Sequence, residues 1–198
     1  MKKPRKAGID RKTRETRIRI ALDLDGKGTG RVKCPIGFFG HMLEAFARHG
    51  AFDLTADIAG DFEVDQHHAV EDAGIALGEA FRRALGDRRG IRRAGSFLFP
   101  MDESLARAAV DLSGRPFLRF DIRLRSAKLG DWAADTIEDF FQGFASALGA
   151  SFHLAVEYGR SDHHKAEALF KAFGRAMRQA CERDGRTAGR VPSTKGVL

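Results

Sequence analysis

The 198-residue sequence predicts an α+β protein made of two related halves, each ordered β-β-α-β-α with its helices packed on one face of an antiparallel sheet. Short stretches of period-two apolar alternation recur along the chain, and two amphipathic helical patterns follow in each half. The two long helices also open alike, His67-His68-Ala69-Val70-Glu71 and His163-His164-Lys165-Ala166-Glu167, at an offset of 96 residues. A shared element order and a shared motif at one offset are the signature of an internal duplication.

In the first half, Ile18, Ile20, Leu22 and Leu24 alternate with Arg17, Arg19, Ala21 and Asp23, the pattern of a half-buried strand. Asp25-Gly26-Lys27-Gly28 reads as a hairpin turn into a short second strand near Gly30 to Cys34. Phe38, Met42, Leu43 and Phe46 then line one side of a helix that Gly50 ends. Phe52 to Ile58 alternates as a strand, and a long helix runs from about Gln66 to Leu85 with Gly86 as its stop.

The second half repeats the order. Leu105 to Leu112 is a weaker strand, Ser113-Gly114 a turn, and Leu118 to Leu124 an alternating strand. Ala134 to Leu148 reads as a helix, Phe152 to Tyr158 as a strand, and His163 to Arg183 as the last helix. No Pro, Gly or Ser linker separates the halves, so residues 13–198 are expected as one domain with pseudo-repeats at about 13–95 and 96–190 and a C-terminal segment at 191–198.

Charge is the one unusual feature of the composition. The net charge is +7, but residues 1–12 hold six basic residues and one acid, so this stretch reads as a flexible basic tail and the remainder carries only +2. That distribution, with few aromatic signals on the surface, argues against a nucleic-acid-binding module. Two distant cysteines, Cys34 and Cys181, suggest neither a disulfide framework nor a thiolate zinc site, and a reducing cytoplasm is the default. No apolar run is long enough for a membrane span, so no membrane partner is expected.

The chemistry concentrates on the two repeated turns. His67 and Glu71 lie about 40° apart around a helix and His68 and Glu71 about 60°, so either imidazole can share a metal ion with the glutamate. Adjacent histidines diverge by about 100°, which suits a turn that feeds two metals better than one that chelates a single ion. Imidazole plus carboxylate without thiolate suits manganese, iron, zinc or nickel. One isolated His-His pair is ordinarily a solvated helix start, but two copies at equivalent positions point to a pair of metal sites. Asp61 and Asp65 read as acidic residues near a helix N-terminus, mostly structural. His41 and His153 are further candidates, each by itself better explained as a hydrogen-bonded histidine.

Seven motifs in order resemble the imidazoleglycerol-phosphate dehydratase family. They are Arg11-x-Thr13-x-Glu15-Thr16, Gly37-Phe38-Phe39-x-His41-Met42-Leu43, Asp65-x-His67-His68-x-x-Glu71-Asp72, Pro100-Met101-Asp102-Glu103, Asp111-Leu112-Ser113-Gly114-Arg115-Pro116, His163-His164-x-x-Glu167-Ala168-x-Phe170-Lys171-Ala172, and Pro192-Ser193-Thr194-Lys195-Gly196-Val197-Leu198. The match runs from about Arg11 to Leu198 with family-like spacing, and it implies a ribosomal protein S5 domain 2-like fold for the pseudo-repeats.

The resemblance implies a lyase of histidine biosynthesis that removes water from D-erythro-imidazole-glycerol phosphate to give imidazole-acetol phosphate. It implies two Mn2+ ions per active site, with zinc or another divalent ion as substitutes, held by His41, His67, His68, Glu71, His153, His163, His164 and Glu167. The carbon proton to be lost has no neighbouring carbonyl. A metal on the imidazole nitrogen would stabilise an imidazolate whose electrons expel the hydroxyl and leave a diazafulvene-like intermediate. Glu15, which contacts substrate in this reading, is the acid/base candidate; Glu71 and Glu167 are assigned catalytic as well as metal-ligating roles. By residues alone Glu15 would be an exposed strand-edge glutamate paired with Arg17. Arg93, Arg115, Lys171, Ser193, Thr194 and Lys195 match positions that bind the substrate and its phosphate. The resemblance also implies a cytoplasmic homo-oligomer of 24 subunits built from trimers, with sites shared between chains.

The sequence departs from the family pattern at Gly40, where an Asp usually precedes the ligand histidine, at Cys34-Pro35, at Ala94 and at Ser161. A lost carboxylate beside His41 is expected to weaken one metal site. A metal-binding assembly without catalysis would not need Glu15, Arg115 and the Ser193-Thr194-Lys195 segment that this chain carries beside the ligands.

Overall fold

A computed structural model describes residues 4–196. The first half consists of β1 (Lys6–Lys12), β2 (Thr16–Asp23), β3 (Gly30–Lys33), α1 (Gly37–Gly50), β4 (Asp53–Gly60) and α2 (His67–Leu85). The second consists of β5 (Ala94–Met101), β6 (Ser104–Asp111), β7 (Phe117–Asp121), a small hairpin of β8 (Lys128–Leu129) and β9 (Trp132–Ala133), α3 (Thr136–Leu148), β10 (Ser151–Tyr158) and α4 (Asp162–Cys181). The sheets have matching orders, β1-β2-β4-β3 and β5-β6-β10-β7, which is the duplication in structural form.

Three expectations are corrected. Each four-stranded sheet has one more strand than the sequence pattern predicts, and both of these extra strands lie at a sheet edge; the small β8–β9 hairpin of the second half is a further addition. Lys6–Lys12, expected within a flexible tail, pairs antiparallel with β2 over its whole length. Only Ile9 of this strand is buried, so charged and small residues hide the alternation. Edge strands tolerate Lys and Asp because one side has no neighbour to satisfy, and such charges discourage pairing with other chains. The second missed strand, β5, alternates only between half-buried and exposed and carries Pro100, again an edge feature.

The turn at Asp25-Gly26-Lys27-Gly28 does not close a hairpin. It begins a crossover, and β3 lies parallel to β4, which separates it from β2. Asp53 holds this connection by accepting hydrogen bonds from the Lys27 and Thr29 backbone N–H groups, both at 2.9 Å. The connection at Ser113-Gly114 likewise leads β7 to a parallel pairing with β10. The sheets are therefore mixed rather than purely antiparallel. Within the two four-stranded sheets the hairpins are β1–β2 and β5–β6, and their turns carry Glu15 and Asp102-Glu103.

The helices lie between the two sheets, on one face of each. α2 packs on β1 and β2 and against α3, while α4 packs on β5 and β6 and against α1. Each helix thus touches its own sheet on one side and the other half on the opposite side, so the halves share one core. Aromatic rings join them: Phe46 stacks on Phe173 with centroids 5.3 Å apart, and Phe81 meets Phe144 at 5.3 Å. The α2–α3 contact is close because of glycine. A Cβ on Gly74 would sit 2.2 Å from the Phe140 carbonyl oxygen. The arginine cluster at 88–93 is not wholly solvated either. Buried Arg88 donates to the Leu112, Leu148 and Gly149 carbonyls and so closes the C-terminal end of α3.

Candidate functional site

The repeated histidine turns open α2 and α4. In the first half, Arg11 and Thr16 both bind the Asp72 carboxylate, Arg11 at 2.7 Å, which fastens the β1–β2 hairpin to α2. Thr13 Oγ1 accepts from the backbone N–H groups of Glu15 and Thr16 at 3.1 and 2.9 Å, shaping the turn. The result places Glu15 Oε2 3.8 Å from His68 Nδ1. Arg17 pairs instead with Asp10 at 2.9 Å, so the ion pair expected for Glu15 does not form.

Carboxylates face the Nδ1 atoms of three histidines. His67 Nδ1 lies 3.0 Å from Asp139 on α3, His68 Nδ1 lies 3.2 Å from Asp61, and His164 Nδ1 lies 2.8 Å from Glu103. The hydrogen bond that His68 donates to Asp61 raises the His68 pKa above its ordinary value, and the one that His164 donates to Glu103 raises the His164 pKa. Glu103, bound by His164 and the Ser161 backbone N–H, sits well below the usual carboxylate range. A carboxylate on Nδ1 leaves Nε2 as the outward-facing nitrogen. On that side His67 Nε2 lies 4.0 Å from Glu71, and His164 Nε2 lies 3.9 Å from Asp102.

A further group forms between α1 and α4. Glu167 Oε2 lies 3.1 Å from His163 Nε2 and 3.9 Å from His41 Nε2, and its Oε1 accepts a hydrogen bond from Lys171 at 2.8 Å. Burial pushes the Glu167 carboxyl up, but Lys171, with His41 and His163, brings it below its ordinary value. Phe38 packs edge-on against His163 at 4.9 Å. Asp131, from the β8–β9 hairpin, caps α1 by accepting from the Gly37 and Phe38 N–H groups at 2.6 and 2.9 Å. Gln66 bridges the same hairpin through the Asp131 carbonyl and the Ala133 N–H. The starts of α1 and α2 are therefore tied to one clamp.

Position 40 faces the sheet. A Cβ there would lie 3.7 Å from both Cys34 Cβ and Val32 Cγ1. The expected effect of a missing carboxylate on His41 thus meets a different geometry, because the neighbours of the His41 ring are Phe38 and Glu167. Ser161, another departure, is the N-cap of α4 and accepts from the His164 N–H at 3.3 Å, a task serine performs as well as asparagine.

The remaining candidates lie elsewhere in the chain. Arg93 forms an ion pair with Asp111 at 2.7 Å and donates to the Pro192 carbonyl at 2.8 Å, which places it beside the Ser193-Thr194-Lys195 segment. Arg115 follows the same end of β6. His153 projects from β10 beside Phe117, with ring centroids 5.4 Å apart, in register with Ala109. Asp111 is seven residues along β6 from Ser104, roughly 23 Å at strand rise, so these groups stand at the opposite end of the second sheet from His164. One chain therefore gathers seven of the eight proposed ligands near its helix starts and holds the expected phosphate groups and His153 apart from them. Val197 and Leu198 lie outside the described residues.

Sequence reasoning missed Asp139, left Asp102 and Glu103 without a role and set Asp61 aside as structural. Only the Pro100-Met101-Asp102-Glu103 motif carried a signal. Asp102, Glu103 and His164 bring three ligand-type atoms within 4.8 Å of one another.

Fold and site together define an internally duplicated α+β protein with an imidazole–carboxylate centre at its helix starts. The family profile for imidazoleglycerol-phosphate dehydratase matches residues 34–177. The imidazoleglycerol-phosphate dehydratases of Koribacter versatilis and Lacticaseibacillus casei are 55% and 54% identical over 98% of this chain and all of theirs. Among solved structures, the Pyrococcus furiosus enzyme matches with a TM-score of 0.83 at 35% identity, covering 96% of this chain and all of that one. The Staphylococcus aureus enzyme matches at 0.79 and 32%, covering 90% of this chain and 99% of that one. The chain belongs to the imidazoleglycerol-phosphate dehydratase family, the dehydratases of histidine biosynthesis.

Proposed function

We propose that the chain dehydrates imidazole-glycerol phosphate to imidazole-acetol phosphate with two divalent ions, manganese first among them. The observation that carries this reading is the set of carboxylates facing Nδ1 of His67, His68 and His164, which turns three Nε2 atoms outward at the starts of the two long helices. Such a donor set, with Glu71 and Glu167 and no thiolate, fits a first-row divalent cation. His41, His67, His68, Glu71, His153, His163, His164 and Glu167 would hold the ions. When bound, they supply Lewis-acid stabilisation of negative charge on the substrate's imidazole ring.

The chain's own groups do the rest. Glu15, half-exposed in its turn beside His68, takes and returns protons at the carbon chain of the substrate. Arg93, Arg115, Ser193, Thr194 and Lys195 bind the phosphate, with Arg93 kept in place by Asp111. Lys171 contacts the substrate and holds Glu167 ionised. Because the phosphate groups and His153 stand roughly 20 Å from the helix starts of the same chain, a complete site needs neighbouring copies, in keeping with a 24-subunit assembly built from trimers. Both cysteines are free, which accords with a cytoplasmic enzyme, and no described helix is long and apolar enough to cross a membrane.

The test combines chelation with one substitution. Stripping divalent ions should abolish dehydration, and manganese should restore it. Glu15→Gln should keep metal content and sedimentation while losing turnover. Normal turnover by that variant would remove Glu15 from the role, and activity that survives complete chelation would remove the ions.

A further inference from the structure

In each half the outer hairpin presents a glutamate to the second histidine of the following helix pair, but the two contacts differ. Glu15 Oε2 stands 3.8 Å from His68 Nδ1 and its side chain is 56% exposed. Glu103 Oε2 lies 2.8 Å from His164 Nδ1, and its Oε1 accepts from the backbone N–H groups of Ser161 at 2.7 Å and Arg160 at 3.1 Å. Ser104 Oγ donates to the same oxygen at 3.2 Å.

The connections between strand and helix explain the difference. In the first half, the connection after β4 contains Asp61, which occupies the near position on His68 at 3.2 Å. In the second half, the connection Gly159-Arg160-Ser161 has no carboxylate. Asp162, next in the chain, is turned to the Arg125 and Ser126 N–H groups and to Lys165, all at 2.8 Å. The hairpin glutamate is thus the group left to face His164.

We propose that the two halves divide one inherited pair of tasks: Glu103 is a positioning residue that sets the His164 tautomer, whereas Asp61 does this for His68 and leaves Glu15 free for proton transfer. The inference rests on the divalent-ion reading above. An acceptor-only carboxylate 2.8 Å from Nδ1 selects the tautomer with hydrogen on Nδ1 and a lone pair on Nε2, the form that can ligate a cation. Because Oε1 of the same carboxylate holds the chain entering α4, the ring direction is referred to the helix start itself. Asp102, 77% exposed and 3.9 Å from Nε2, lies on the ligand side of the ring.

Glu103→Gln separates positioning from folding. The amide oxygen can still accept from Arg160 and Ser161, but the amide N–H groups now face Nδ1 and favour the opposite tautomer. Manganese affinity measured by equilibrium dialysis should fall about tenfold to a hundredfold, with the melting temperature of the metal-free protein unchanged. Asp61→Asn should show the same loss, and Glu15→Gln should not. Unchanged manganese affinity in Glu103→Gln would overturn the assignment. If that variant fails to fold, neutron diffraction from metal-free wild-type crystals, held alkaline enough that a single ring deuteron is seen, decides the matter. A deuteron on His164 Nδ1 supports the proposal and one on Nε2 refutes it. Wild-type protein that takes up no manganese would instead sink the divalent-ion reading, and the deuteron would still decide the tautomer.

Discussion

Asp139, on α3 in the second half, places its carboxylate 3.0 Å from Nδ1 of His67, the first residue of α2 in the first half. The contact crosses the duplication, so the orientation of one candidate ligand depends on how the halves pack. Asp139→Ala should leave the fold intact, because the side chain is partly exposed at a helix surface. Manganese affinity should fall about tenfold, as expected when the carboxylate behind a ligating imidazole is removed, and calorimetric titration would measure it. An unchanged affinity would mean that packing alone directs His67.

The β1–β2 hairpin is fastened through Asp72, which is buried and shared by Arg11 and Thr16. Asp72→Ala strands the Arg11 guanidinium and the Thr16 hydroxyl. Because Arg11 is partly exposed and water can reach it, removing this hydrogen-bonded carboxylate costs about 1–3 kcal/mol. Urea unfolding should show that loss, and turnover should drop more steeply than metal content because Glu15 is no longer held.

Gly74 offers a test of the α2–α3 contact. An alanine there must push the helices apart, since its Cβ would overlap the Phe140 carbonyl. Overpacking of this kind costs about 1–3 kcal/mol. The same shift draws His67 away from Asp139, so Gly74→Ala should lose both stability and manganese affinity. Loss of stability alone would show that the helices yield elsewhere.

Acid should weaken the start of α4 in a defined window. Burial opposes ionisation of Asp162, but Lys165 and the Ser126 and Arg125 N–H groups outweigh it and lower the carboxyl pKa to about 2. A depressed folded-state value contributes stability that is present above the ordinary value near 3.8 and lost as pH falls through about 2. Between about pH 4 and pH 2 the metal-free protein should therefore lose on the order of 1–2 kcal/mol through this group. Asp162→Asn should flatten that part of the curve of urea stability against pH; an unaltered slope would reassign the acid sensitivity to other carboxylates.

The elements that the sequence made legible are those with strong periodic burial. In α2, Val70, Leu77 and Phe81 recur on one face, and in β2 Ile18, Ile20 and Leu22 alternate inward, so local spacing alone marks helix and strand. The strands β1 and β5 escaped because an edge strand need bury little. The partner of β3 escaped for another reason: pairing with β4 rather than β2 is a choice between distant segments, and the Asp25-to-Gly28 turn residues suit either path.

The same division holds at the site. The repeated His-His-x-x-Glu turns could be read directly, since helix geometry places residues four apart on one face whatever surrounds them. Which carboxylate stands behind each imidazole could not. Asp139 and His67 are 72 residues apart, and Glu103 and His164 are 61 apart. The first pair meets only when the two halves close on each other, and the second only when the β5–β6 hairpin packs on α4. The sequence by itself determined the ligand-type residues and the helices that carry them, because both follow from local periodicity. The tertiary structure decided which nitrogen of each histidine faces outward and which groups one chain keeps apart, because those depend on long-range packing that no local pattern encodes.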